Sequence, residues 1–124
     1  MSKPIILIVD DEHDSADLLG MLLEMHFPDA GFFVAYGGRE ALDHATSQRP
    51  VAAVLDLEMP GMNGESLAHA LRQKFVDRPP LLIALSGNVL LLSQIRANGA
   101  FDHHLSKPAD TDALVHLLRE QLAS

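Results

Sequence analysis

The chain has 124 residues, enough for one compact domain with a buried core, and 48% of them are hydrophobic, which excludes a disordered chain. It contains no cysteine, so disulfides, thiolate metal sites and cysteine nucleophiles are excluded. The formal charge of −8 disfavours nonspecific binding to nucleic acid. No apolar run approaches the length of a membrane span. We therefore expect one domain over residues 1–124, cytoplasmic, without membrane insertion or nucleic-acid binding.

Five short apolar runs alternate with longer segments of helical periodicity. The runs cover residues 5–9, 32–36, 51–55, 81–85 and, more weakly, 101–105. Continuous apolarity is typical of strands that are buried on both faces of a parallel sheet. Each run is therefore predicted to form one strand of such a sheet.

The segments between the runs predict helices. They cover residues 14–26, 39–47, 65–74, 89–98 and 110–122. We expect Asp14 to cap the first helix, and Gly99 to end the fourth in a left-handed conformation. The face of the first helix expected to be buried carries Leu19, Leu22, Leu23 and His26.

This alternation predicts an α/β domain with helices on both faces of a five-stranded sheet. Because crossovers between parallel strands are right-handed, few topologies are possible, and the flavodoxin-like order 2-1-3-4-5 is the usual one. Ligands of such sheets bind beyond the carboxyl ends of the strands, where the order reverses. Here that point lies between the first and third strands.

Polar residues follow the predicted strands at this edge. In chain order they are Asp10, Asp11, Asp56, Ser86 and Lys107. Clustered carboxylates repel one another, and a divalent cation with a preference for oxygen ligands, such as Mg²⁺, removes that conflict. Asp56 can then attack phosphorus as a carboxylate nucleophile. Positive charge from Mg²⁺ and Lys107, with a hydrogen bond from Ser86, would stabilise the phosphoryl oxygens.

These residues lie in motifs similar to those of the response-regulator receiver family of two-component signalling. The motifs are VDDE at 9–12, DLEMPGMNG at 56–64, LSG at 85–87 and KP at 107–108. The resemblance extends from about residue 5 to residue 122. It implies that Asp56 is the phosphoacceptor and that Mg²⁺ is bound by four residues: Asp10, Asp11, Asp56 and, through its backbone carbonyl, Glu58.

The resemblance also implies how the domain would switch. Ser86 would be the switch hydroxyl and Lys107 the phosphate-binding lysine, with a cis peptide bond between Lys107 and Pro108. His104 lies where the family usually has a rotating Tyr or Phe, so it is either the second switch residue or a partly buried strand histidine. Because neighbours on a strand point to opposite faces, His103 and His104 are not expected to share a metal.

The partners implied by the resemblance are a sensor histidine kinase or a histidine phosphotransfer protein as the donor. A homodimer through the fourth helix, fifth strand and fifth helix is possible, because the run Leu90 to Leu92 is wider than one buried stripe needs. The domain would catalyse only its own aspartyl phosphorylation and dephosphorylation, and would present a partner-binding face according to its phosphorylation state.

Two alternatives use related chemistry or a related fold. A phosphatase of the haloacid-dehalogenase type would also use Asp, Ser, Lys and Mg²⁺, but it needs a second Asp where this chain has Glu58. A flavodoxin-like module for flavin mononucleotide would need a Ser/Thr/Gly-rich first loop. The acidic sequence at residues 10–14 would instead repel a phosphate.

Overall fold

The computed structural model describes residues 3–123, in which five strands and five helices alternate along the chain. In chain order they are β1 (Ile5–Val9), α1 (His13–His26), β2 (Gly31–Ala35), α2 (Gly38–Ser47), β3 (Pro50–Asp56), α3 (Gly64–Lys74), β4 (Leu81–Ser86), α4 (Val89–Asn98), β5 (His103–Ser106) and α5 (Thr111–Ala123). Every predicted element is present, and each of its ends lies within two residues of the expected position.

The five strands form one parallel sheet in the order β2-β1-β3-β4-β5, which confirms the predicted fold. The order reverses between β1 and β3, so these two strands lie side by side. Val9 is in register with both Ala35 and Leu55. The chain therefore leaves β1 at the level of Asp56, which puts Asp10 beside it.

The core consists of two layers, one on each face of the sheet, because successive residues of a strand point to opposite faces. From β1, Leu7 and Val9 pack with buried residues of α2, α3 and α4, whereas Ile6 and Ile8 pack with those of α1 and α5. Burying a side chain of this size stabilises the fold by roughly 1.5–3 kcal/mol relative to leaving it exposed. Packing on both faces holds the strand ends in fixed relative positions.

The start of α1 differs from its prediction. The N-cap residue is Glu12 rather than Asp14, and the Glu12 side chain makes no capping hydrogen bond. The backbone N–H of Glu12 donates to Asp10 Oδ1 at 3.0 Å, so the helix begins directly after the acidic residues. Asp14 lies in the first turn, where the helix dipole favours a carboxylate.

The buried side of α1 also differs from its prediction. Leu22 and His26 were expected in the core and lie at the surface, whereas Leu23 is buried as expected. The reason is the close approach of Gly20 to the sheet, where an added Cβ would lie 3.0 Å from Val34 Cγ2. This small residue sets the rotation of the helix and turns Leu22 outward.

The apolar run at the start of α4 is divided between the core and the surface. Leu92 is 6% exposed, whereas Leu90 is 76% exposed. Gly99 ends the helix with a φ of 70°, which confirms the predicted left-handed terminator. The exposed leucine is compatible with a homodimer through this region, which stays a prediction.

The last elements begin slightly later than predicted. Strand β5 begins at His103 rather than residue 101, and α5 begins at Thr111, where Asp110 Oδ1 accepts a hydrogen bond from the N–H of Ala113 at 3.2 Å. Across residues 3–123, every helix is too short or too polar to cross a bilayer.

Candidate functional site

Three carboxyl groups converge at the carboxyl ends of β1 and β3. Oxygen atoms of Asp10, Asp11 and Asp56 all lie within 4.8 Å of one another. Asp10 and Asp56 are buried, whereas Asp11 is exposed. The backbone fixes two of them, because the N–H of Asp10 donates to Ala35 O and the N–H of Leu57 donates to Leu85 O. The structure therefore brings together the acidic residues singled out from the sequence.

The segment after β3 returns close to Asp56. Gly64, the first residue of α3, donates its N–H to Leu57 O at 3.2 Å. A Cβ at Gly64 would lie 2.4 Å from the carbonyl oxygen of Asp56 and 2.9 Å from Leu57 Cα. Both neighbours are backbone atoms, so a larger residue here would displace either α3 or the end of β3. Glycine thus allows α3 to support the strand end that carries Asp56.

Lys107 follows the edge strand β5, and its side chain completes the charged cluster. Its Nζ lies 3.0 Å from Asp10 Oδ2 and 3.4 Å from Asp56 Oδ1. Its backbone N–H donates to Ser86 O at 2.9 Å, which extends the β4–β5 pairing by one residue. The Lys107–Pro108 peptide bond is cis, as expected from the sequence.

The protonation behaviour of the cluster follows from burial and crowding. Burial raises the pKa of Asp56 to about 6, with Lys107 opposing this effect and the charge of Asp10 adding to it. Partial burial alone would lower the pKa of Lys107, but its hydrogen bond to Asp10 and the charges of both carboxylates outweigh burial and raise it. Lys107 therefore stays protonated at neutral pH, whereas Asp56, with a pKa of about 6, loses its proton later than an ordinary aspartate as the pH rises.

The donor set fits a divalent cation such as Mg²⁺. Three carboxylates and one ammonium group carry a formal charge of −2, which one divalent ion balances. Hard carboxylate oxygens are the ligands that Mg²⁺ prefers, and exposed Asp11 leaves an open side for water or phosphate oxygens. The roles of these residues and of the Glu58 carbonyl as ligands stay predictions.

Ser86 lies at the end of β4 and is 1% exposed. Its Oγ accepts a hydrogen bond from the N–H of Asn88 at 2.9 Å and donates to Glu58 Oε1 at 3.3 Å. Sequence reasoning missed the contact with the Glu58 side chain, which joins two separate loops. The Asn88 side chain also caps α4 by accepting from the N–H of Leu91, and an Asn just before a helical segment is the signal that predicts such a cap.

Among residues 3–123, His104 takes no part in the hydrogen bonds and ion pairs that join Asp10, Asp56 and Lys107. It lies on β5 in register with Ala84, and its ring meets that of Phe101 edge-on at a centroid distance of 6.2 Å. Its Nε2 is buried and has no hydrogen-bond partner among residues 3–123. The structure therefore places His104 near α4, and its role as a switch residue stays a prediction.

Comparison with known proteins identifies a family. The model of the protein family described as "Response regulator receiver domain" matches residues 6–119 of this chain. Sporulation initiation phosphotransferase F of Bacillus subtilis is 31% identical over 121 residues, which are 94% of this chain and 92% of that protein. The C4-dicarboxylate transport transcriptional regulatory protein DctD of Pseudomonas aeruginosa is 34% identical over 119 residues. Those residues are 94% of this chain but only 25% of DctD, so the chain spans about a quarter of that longer relative.

Solved structures show the same architecture. The signal receiver domain of a DNA-binding response regulator from Colwellia psychrerythraea 34H superposes with a TM-score of 0.86 at 29% identity, over 98% of this chain and 100% of that one. A CheY-like response regulator receiver domain protein from Methanospirillum hungatei JF-1 gives a TM-score of 0.83 at 25% identity, over 98% and 95% of the two chains. The similarity therefore covers nearly the whole chain in both sequence and fold.

Proposed function

This chain belongs to the response regulator receiver family of two-component signalling, and we propose that it accepts a phosphoryl group on Asp56 from a phosphohistidine donor. The observation that carries the proposal is the meeting of Asp56 with Asp10, Asp11 and Lys107 at one edge of the sheet. Membership of the receiver family supports this function over the dehalogenase-type phosphatase and the flavin module.

The transfer follows from the position and charge of Asp56. Its carboxylate forms the new O–P bond while the N–P bond of the donor breaks, and the leaving imidazole keeps the electron pair. The transition state is loose, so positioning and neutralisation of phosphoryl oxygens supply most of the rate enhancement. Lys107 already lies 3.4 Å from Asp56 and supplies one positive charge at the point of transfer.

Asp10, Asp11 and Asp56, with the backbone carbonyl of Glu58, would hold Mg²⁺. When bound, the ion supplies positive charge to the phosphoryl oxygens and removes the repulsion among the carboxylates. Asp10 is itself oriented by two contacts, the N–H of Glu12 and the ammonium group of Lys107. It is therefore preorganised as a ligand rather than free to rotate.

Ser86 would donate a hydrogen bond to the phosphoryl group on Asp56. In the structure its hydroxyl donates to Glu58, an acceptor that a phosphoryl oxygen would replace. Moving the hydroxyl toward Asp56 would also break the hydrogen bond that it accepts from the backbone N–H of Asn88. Asn88 is the N-cap residue of α4. The chemical event would thus reach α4 through Ser86, and shift a pre-existing equilibrium between two arrangements.

The donor would approach along α1. A cavity of about 270 Å³ joins the acidic site to this helix, and Asp10 and Lys107 contribute to its lining together with Leu18 and Leu22. Leu18 is 57% exposed, and Met21 and Met25 continue the exposed apolar surface along the helix. A partner whose histidine reaches Asp56 must cover this surface, so apolar contacts with α1 would hold the donor in place.

The deciding experiment measures intact mass after incubation with acetyl phosphate. We expect one added phosphoryl group in the wild type with Mg²⁺, and none with EDTA. Asp56→Ala should show no addition at that site. Equal labelling of wild type and Asp56→Ala would exclude Asp56 as the acceptor, and steady release of phosphate over many turnovers would point to a phosphatase instead.

A further inference from the structure

A further cavity lies at the amino ends of the central strands, far from the acidic site at their carboxyl ends. Its volume is about 530 Å³, which is within the range of binding sites for small molecules. The strands β1, β3 and β4, which are adjacent in the sheet, all begin beside it. Because β3 is seven residues long, roughly 20 Å separate the cavity from Asp56. The cavity is therefore not part of the acidic site.

The same type of dipeptide leads into each of these three strands. A cation followed by proline occurs at residues 3–4, 49–50 and 78–79. All of these residues line the cavity, which brings together Lys3, Arg49 and Arg78. No Asp or Glu of residues 3–123 contributes to the lining, although the chain has 17 acidic residues and only nine Lys and Arg. The cavity is thus a positively charged site on an acidic protein.

The three cations are not neutralised by carboxylates of the chain. In the part of the chain that the structure describes, none of Lys3, Arg49 and Arg78 forms an ion pair with Asp or Glu. Like charges that are brought together repel one another, and a bound anion removes that repulsion, just as a divalent cation does among carboxylates. The cavity is therefore electrostatically complementary to an anion.

The guanidinium group of Arg49 is held in place and keeps donors for a ligand. One of its nitrogens donates to the backbone carbonyl of Arg78, and the group lies over the ring of Phe75, 5.1 Å from the ring centroid. A guanidinium group carries several N–H donors in a planar fork, so this one contact leaves others available. Such a fork matches the oxygens of a phosphate group better than a lysine does. Arg49 is therefore preorganised to bind phosphate.

The remainder of the lining suits an uncharged organic group. Proline has no N–H donor, and Pro4, Pro50 and Pro79 provide apolar walls. At Val51, β3 has one residue more than the facing part of β1, and Gln121 of α5 donates its side-chain N–H to the Val51 carbonyl at 3.2 Å. The side-chain carbonyl of Gln121 accepts no hydrogen bond from residues 3–123, so it can accept one from a ligand.

We propose that this cavity binds a small organic phosphate, with the phosphate group among the three cations and the organic part against the prolines. The unpaired positive charge selects the phosphate group, whereas the apolar walls and the Gln121 carbonyl select a flat ring with an N–H donor, such as a nucleobase. A mononucleotide combines both parts. The inference goes beyond the proposed function of Asp56 and does not depend on it, because the two sites lie at opposite ends of β3.

The experiment is an NMR titration of the protein with adenosine monophosphate in EDTA at low ionic strength, with adenosine and inorganic phosphate as the two partial ligands. We expect the amide resonances of Lys3, Ile5, Val51 and Arg78 to shift, and the mononucleotide to bind roughly tenfold more tightly than either part. Asp56→Ala should bind it equally well. Equal affinity for adenosine would overturn the role of the cations, and equal affinity for inorganic phosphate would overturn the role of the apolar walls. Shifts confined to the surroundings of Asp56, or no shifts at all, would overturn the site.

Arg78→Gln tests the charge with little risk to the fold, because the Arg78 side chain makes no hydrogen bond or ion pair within residues 3–123. It should weaken binding of adenosine monophosphate by roughly fivefold or more. The matched control is Arg39→Gln, the same substitution at an exposed arginine of α2 outside the lining, which should leave the affinity unchanged. Equal weakening in both variants would reduce the effect to net charge and contradict a specific site.

Discussion

At the residue scale, the role of Asp56 as a nucleophile conflicts with its burial in the folded protein. A nucleophilic carboxylate must be ionised, but burial and Asp10 raise its pKa to about 6 despite the nearby ammonium group of Lys107. At neutral pH the carboxyl group is mostly ionised, and its negative charge destabilises the folded protein because it is buried and close to Asp10. Binding of a divalent cation relieves that cost, so the free energy of folding and the affinity for the metal are linked through one side chain.

The first consequence concerns stability. Because the pKa of Asp56 is higher in the folded protein than in the unfolded chain, its ionisation removes stability as the pH rises from about 4 to about 6. In EDTA at pH 7.5, Asp56→Asn should therefore raise the free energy of unfolding by about 1–3 kcal/mol, and near pH 4 this gain should vanish. Urea denaturation at both pH values measures the difference.

The matched control for this substitution is Asp43→Asn. Asp43 is exposed on α2, so its loss should leave stability within about 0.5 kcal/mol at either pH. If Asp56→Asn were as stable as the wild type or less stable at pH 7.5, the electrostatic account of the site would be wrong. With Mg²⁺ the wild type should regain stability that the variant does not.

Helix α1 illustrates what one element contributes to both the core and the surface. Ala16, Gly20 and Leu23 face the sheet, while Leu18 is exposed beside the acidic site and Met21 is exposed further along the helix. The apolar residues on the outer side are not needed for the core. They are available to a partner, and the position of Leu18 beside Asp10 favours the phosphohistidine donor as that partner.

The exposed surface of α1 predicts a difference between protein and small-molecule donors. Leu18→Glu places a charge in the apolar contact and should slow phosphotransfer from a histidine kinase that phosphorylates the wild type by roughly tenfold or more. Phosphorylation by acetyl phosphate should be unchanged, since Asp56 and its partners are untouched. Rates of phosphoprotein formation with each donor measure this.

The control for α1 is Val76→Glu. Val76 is 74% exposed and follows α3, away from the lining of the cavity beside Asp10. It should leave both rates unchanged. Equal slowing by Leu18→Glu and Val76→Glu, or loss of acetyl phosphate reactivity in Leu18→Glu, would show that α1 is not the donor surface.

At the scale of the whole molecule, the acidic site lies on central strands of the sheet, whereas the elements expected to change conformation lie at one edge of it. Asp10 and Asp56 are held by strands that are buried on both sides. By contrast, β5 is an edge strand, and α4 is tied to the site through Ser86 and Asn88. Elements with fewer buried neighbours open at lower free energy, so conformational change should concentrate there.

We therefore expect amide hydrogen exchange to change in α4 and β5 when Mg²⁺ and beryllofluoride bind, and to stay constant in β1. Mass spectrometry of peptides covering Val89–Asn98 and His103–Ser106 measures the effect. The Asp56→Ala variant, treated in the same way, should show no change. If α4 and β5 exchanged equally in both states, the route from Ser86 to this face would be interrupted.

The sequence by itself determined the order of elements, the sheet topology and the acidic site. Short, continuously apolar runs identify buried parallel strands, and few connections between five such strands are possible. Asp56 and Lys107 were predicted to meet because strand ends of a parallel sheet share one edge. These features follow from local pattern and chain connectivity, and they need no knowledge of individual contacts.

Only the tertiary structure determined how the helices pack on the sheet and which groups surround each buried polar atom. The rotation of α1 depends on the close approach of Gly20 to Val34, so helical periodicity alone wrongly placed Leu22 in the core. The raised pKa of Asp56 and the unpartnered Nε2 of His104 likewise depend on what surrounds each atom. Burial and electrostatic interaction act over a few ångströms between residues distant in sequence, so only the folded chain determines them.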